Sequence, residues 1–169
     1  MKPYKFSLFL FAIIFAFSCN KNSSSPGGGT AAIKATIDGS SQTFNVGATA
    51  SLVSFGSEQA LSITGVQSNS NTAYLITLAL MPSNGSSITP GTYTGNASSD
   101  EVELTYAQAS TGIAYQNDPT ISSSNATVVI TSISSTNVKG TFSGTLVLET
   151  GSGAATKTIT NGSFDLAIK

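Results

Sequence analysis

Eight carboxylates and five tyrosines are the side chains of this 169-residue chain with the most chemistry to offer. The densest acids are Asp100-Glu101 and Glu103, preceded by Asn96, Ser98 and Ser99. Calcium takes about six to eight oxygen ligands, and a loop of acids and amides can supply them. The spacing fits neither an EF-hand nor a calcium repeat, and alternation puts Glu101 and Glu103 opposite Val102 and Leu104. They are therefore expected on a solvated strand face, with no metal and no cofactor. Cleaving a glycosidic bond needs two carboxylates at a set separation. Asp38, Glu58, Asp118, Glu149 and Asp165 are scattered along the chain, in a turn, before a proline or on an outward strand position, and nothing in their spacing pairs them. Tyrosines can stack on sugar rings. Tyr74 and Tyr106 alternate with aliphatic residues and read as core or barrel lining, whereas Tyr93 and Tyr115 lie near loops and are the candidate binding residues for a protein or glycan.

The absent residue types narrow the chemistry further. There is no histidine, arginine or tryptophan, and Cys19 is the single cysteine. Serine and cysteine nucleophiles usually need a histidine base, catalytic zinc usually needs histidine ligands, and phosphate clamps usually need arginine. Carboxylate chemistry, a Ser-Lys dyad or no chemistry remains, and a non-catalytic protein is expected. No disulfide can form within the chain, so its fold must hold by packing and hydrogen bonds.

The chain opens with a basic start, Lys2 and Lys5, and an apolar run from Phe6 to Phe17 that ends in Ser18-Cys19. A membrane-spanning helix needs about 20 apolar residues, so this shorter run reads as a signal peptide over residues 1–18. A small residue before a lone cysteine at the end of such a run resembles the lipobox of bacterial lipoproteins. That resemblance implies that Cys19 becomes the lipid-bearing first residue of the mature chain and its anchor to a membrane. Residues 19–30 would then be the lipidated cysteine and a flexible tether, Asn20 to Thr30, with a reach of roughly 15 to 20 Å. Without Lys2 and Lys5, five lysines face eight acids, a net charge near −3, which argues against a nucleic-acid partner.

Residues 31–169 must position whatever function exists, and their period is two almost throughout. Ile33, Ala35 and Ile37 share one face, Asp38-Gly39 supplies a hairpin turn, and the return strand from Gln42 to Val46 is expected to turn Phe44 and Val46 inward. Further strands are expected near 49–55, 60–66, 73–81, 102–106, 112–116, 126–133, 138–149 and 156–168. The run from Ala73 to Met81 is apolar on both faces and belongs in the middle of a sheet. In the last strand, counting back from Phe164 by twos leaves Ile159 outside, so a bulge is expected at Asn161-Gly162 to return Ile159 to the core. The same pairing would set Phe142 opposite Phe164. No window carries a capped helical period. The fold is expected to be all-β, a single antiparallel β-sandwich or flattened barrel of about ten strands.

The short motifs Ile37-Asp38-Gly39, Pro90-Gly91-Thr92-Tyr93, Val138 to Gly144 and Ile159 to Phe164 resemble those of small outer-membrane lipoproteins of Bacteroidetes-type bacteria, a group of unknown function. The resemblance implies a lipid-anchored, all-β protein of the outer membrane and carries over no catalytic residues. The periplasmic or cell-surface face is left open by the residues after Cys19. Two functions fit this reading: a binding or structural module of the cell envelope, or a barrel-type carrier of a small apolar ligand.

Overall fold

The computed structural model describes residues 32–69, 72–83, 85–96, 99–149 and 155–169. The expected signal peptide, Cys19 and the expected tether lie outside these residues. The described chain is all-β, and it is built from twelve strands in one barrel-like sheet. They are β1 (Ile33–Ile37), β2 (Ser40–Phe44), β3 (Val46–Phe55), β4 (Glu58–Asn69), β5 (Thr72–Leu80), β6 (Gly91–Asn96), β7 (Ser99–Asp100), β8 (Val102–Gln108), β9 (Ile113–Gln116), β10 (Asn125–Ile133), β11 (Asn137–Leu148) and β12 (Thr156–Ala167). All strand pairings are antiparallel and run β2-β1-β12-β11-β9-β8-β5-β4-β3. As its two-faced apolar pattern requires, β5 lies between β4 and β8.

Two junctions shape the barrel. At the seam, the β3 end of the path meets the chain just after β12: Ile168 forms a parallel bridge to Ala50, and Lys169 N–H donates to Ala50 O at 2.9 Å. Behind it, Gly65 of β4 leaves room for β1 and β2, since a Cβ there would lie 2.9 Å from Ile33 Cδ1 and 3.1 Å from Phe44 Cβ. The second junction is a fork at β11, which pairs with β10 along most of its length and with β9 only at Val147 and Leu148. The branch continues from β10 to β6 and β7. Asn117, buried just after β9, ties the arms together. Its Oδ1 accepts the Leu104 N–H, and its Nδ2 donates to Val102 O at 2.9 Å and Gly95 O at 3.3 Å. One amide thus replaces ladder bonds that β6 and β8 do not make with each other.

Hydrophobic alternation fills the interior with one continuous cluster that includes Phe44, Leu104, Val128, Ile130, Phe142, Leu146 and Phe164. The expected bulge in β12 is present. Phe142 faces Gly162 and Gly144 faces Ile159, so β12 spends one more residue than β11 over this span, and Ile159 returns to the core at 1 % exposure. Asn161 takes the left-handed conformation, with φ of 52°. Gly162 serves a different purpose: a Cβ there would lie 2.4 Å from Phe142 O and 2.6 Å from its ring. Phe164 covers Gly140 in the same way, so each phenylalanine faces a glycine rather than the other ring, correcting the expected Phe142–Phe164 register. The two rings meet diagonally at 6.3 Å. Val46 is also corrected. It begins β3 rather than ending β2, pairs with Val66 ahead of the irregularity at Gly47 (φ 62°), and is 51 % exposed while Phe44 is buried.

Candidate functional site

The inward faces of the strands can be followed rung by rung through the registers. Gly65, Ile76, Tyr106 and Tyr115 form one rung across β4, β5, β8 and β9; Gln67, Tyr74, Gln108 and Ile113 form the next, one layer nearer the rim. Directly opposed residues in antiparallel strands project to the same side. Apolar alternation therefore runs out into amides and tyrosines at one end of the barrel.

The rim is tightly organised. Tyr74 stacks on Tyr106 with centroids 5.6 Å apart and planes within 5°, while Phe44 meets Tyr106 edge-on at 6.4 Å. The Gln42 amide reaches the Tyr106 hydroxyl from β2, with Nε2 at 3.3 Å and Oε1 at 3.4 Å. Burial raises the Tyr106 hydroxyl above its ordinary value and the Gln42 bond offsets part of that, so it remains a neutral donor and acceptor. Tyr115 lies beside Tyr106, with Lys157 Nζ 5.5 Å from its ring centroid. Lys157 in turn donates to Asp38 Oδ2 at 2.7 Å, and Thr158 N–H donates to Asp38 Oδ1 at 2.9 Å. These bonds, led by the one from Lys157, hold the Asp38 carboxyl below its ordinary value and raise Lys157. The bulge makes this possible, because the shift that turns Ile159 inward turns Lys157 to the same face, opposite the buried Leu146.

Of the two candidate tyrosines, Tyr115 belongs to this rim. Tyr93 does not: its hydroxyl accepts from Thr89 N–H at 3.0 Å and donates to Thr89 O at 2.8 Å, pinning the loop before β6. The acids are dispersed. Glu101 Oε1 accepts from the Ser83 backbone and hydroxyl at 3.1 and 3.0 Å. Glu103 is half-buried on the outer face rather than solvated, and burial, followed by the charge of Glu149, raises its carboxyl above the ordinary 4.5. On the same outer side Val147 of β11, paired with Gln116 of β9, is also buried. Asp118 caps Thr120, and Asp165 pairs with Lys139 at 3.5 Å. Among the described residues, no three acids, cysteines or histidines gather around a common point that could hold a metal ion. Reasoning from sequence missed Gln42, Gln67, Gln108 and Lys157; continuing the inward sets Leu61-Ile63-Gly65 and Val102-Leu104-Tyr106 by one more step reaches Gln67 and Gln108.

No protein-family model matches the chain, and neither a curated protein nor a solved structure matches it.

Proposed function

We propose that this protein is a non-catalytic binding module of the cell envelope, held in the outer membrane by a lipid on Cys19 and recognising a protein or glycan through one end of its barrel. The observation that carries the reading is the convergence of Tyr74, Tyr115 and Gln42, all half-buried, around the buried Tyr106 at that end. Sites of this kind join apolar surface to a few placed polar groups. The carboxylates support a non-catalytic role, because Asp38, Glu101, Asp118 and Asp165 are each engaged in holding local structure. The glycine-cushioned phenylalanines of β11 and β12 favour a packed module over a carrier with an open interior. Anchoring rests on the run from Phe6 to Phe17 followed by Ser18-Cys19.

Fractionation tests the proposal. The wild-type protein is expected to stay with outer membranes through a carbonate wash, and Cys19→Ser to be released while still folded. A Cys19→Ser protein that still pellets with membranes would rule out the lipid anchor, and protease shaving of intact cells assigns the face.

A further inference from the structure

Resting on that reading, we infer that the outermost rung of the barrel, Gln67–Tyr74–Gln108, is a binding site for a neutral saccharide. The geometry is that of a platform. Tyr74 stacks parallel to Tyr106, within 5°, one layer nearer the rim, and is only partly buried where Tyr106 is buried. The deeper layer beneath it, Phe44 edge-on to Tyr106 and Gln42 on the Tyr106 hydroxyl, keeps the pair from tilting. Directly opposite Tyr74 on either side stand Gln67 of β4 and Gln108 of β8, each about 4.8 Å away in the hydrogen-bonding direction. Beyond Gln108 the rung ends in Ile113, 41 % exposed, which extends the apolar floor.

Each part matches a feature of a sugar ring. The C–H face of a pyranose is weakly positive and packs on the electron-rich face of an aromatic ring. Its equatorial hydroxyls project sideways as both donors and acceptors, and a carboxamide offers both. Gln108 Nε2 already donates to Ser110 Oγ at 3.3 Å, which settles the end of that amide left to accept. Charge decides between neutral and acidic sugars. The cation at this rim, Lys157, is already bound to Asp38 at 2.7 Å, and drawing it off to a ligand carboxylate would leave Asp38 with the Thr158 N–H alone. An uncharged ligand requires no such exchange.

The test is calorimetric titration of the full chain in detergent micelles with neutral gluco-, xylo- and manno-oligosaccharides, and with a galacturonate oligomer as the acidic counterpart. A neutral oligosaccharide is expected to bind in preference to the galacturonate. Tyr74→Ala should weaken binding about tenfold or more, Tyr74→Phe should retain it, and Lys139→Ala, on the outer face of β11, should leave it unchanged. If Tyr74→Ala does not fold, as judged by thermal unfolding, the double variant Gln67→Ala with Gln108→Ala carries the test. Undiminished binding in either folded variant overturns this site and leaves the module reading standing. A wild-type chain that binds none of the neutral probes, or prefers the galacturonate, overturns the neutral-saccharide assignment, while the anchored module is decided separately by the fractionation of Cys19→Ser.

Discussion

The interior along β11 and β12 and the rim around Tyr74 are both lined with aromatic rings, yet they treat those rings in opposite ways. Phe142 and Phe164 are each laid over a glycine of the neighbouring strand, Gly162 and Gly140, and are 5 % and 3 % exposed. Tyr74 is flanked by side chains rather than by glycines, Gln67 on one side and Gln108 on the other, and its ring stacks on Tyr106 while staying partly exposed. A ring over glycine gives up all its surface to packing. A ring between amides keeps part of its surface and gains polar neighbours, which makes it suited to recognition. The difference follows from position along the strands: the glycines face the mid-strand rungs, and the amides stand where the inward rows reach solvent.

The comparison can be broken most severely at Gly162. A Cβ at 2.4 Å from Phe142 O meets backbone, which cannot swing aside. Gly162→Ala should therefore cost about 3 kcal/mol or more in urea unfolding, and a change below about 0.5 kcal/mol would show that the glycine–ring contact is slack. The next largest effect is expected where the fork is stitched. Asn117→Ala removes the bonds to Leu104 N–H, Val102 O and Gly95 O from a buried position and should cost about 2 to 3 kcal/mol. Amide exchange should accelerate at Leu104 first, and unchanged protection there would contradict the stitch. The smallest effect is expected at Glu103 and has the opposite sign. Its raised carboxyl binds a proton more tightly in the folded than in the unfolded chain, so the ionised form weakens the fold above that pKa. Glu103→Gln should gain under about 1 kcal/mol at pH 7, and the gain should vanish as the pH falls below the ordinary 4.5. A gain that persists at low pH would point to packing rather than charge.

Most of the fold was legible because a period of two marks each strand, and in β12 even the break in that period was informative: Ile159 could reach the core only through an extra residue. What remained hidden depended on the neighbouring strand. The bulge was expected at Asn161-Gly162, where glycine is the residue type that takes a positive φ most easily, but Asn161 adopts it, and Gly162 instead makes the space under Phe142. Val46 looked inward by simple alternation, and the irregularity at Gly47 lies in the chain just after it. Glu103 looked solvated because nothing in β8 reveals its burial on the outer side or the nearby Glu149, which follows β11. The rim was half visible. Its tyrosines could be picked out by type, but their company could not: Gln42 lies 64 residues from the Tyr106 hydroxyl it meets, and only the register of three strands sets Gln67 and Gln108 on either side of Tyr74.

The central claim, that the interior is given over to packing while ligand contact is confined to the rim, is tested most directly by side-chain chemical-shift mapping of the isotope-labelled full chain. Two probes would be titrated separately: the neutral oligosaccharide panel and a long-chain fatty acid. The expected result is that a saccharide shifts Gln67, Tyr74 and Gln108 and leaves Phe142, Phe164 and Ile130 unmoved, while the fatty acid shifts none of the three interior residues. Shifts centred on Phe142 and Phe164 with either probe, with the rim unchanged, would contradict the claim and identify the barrel interior as the binding cavity.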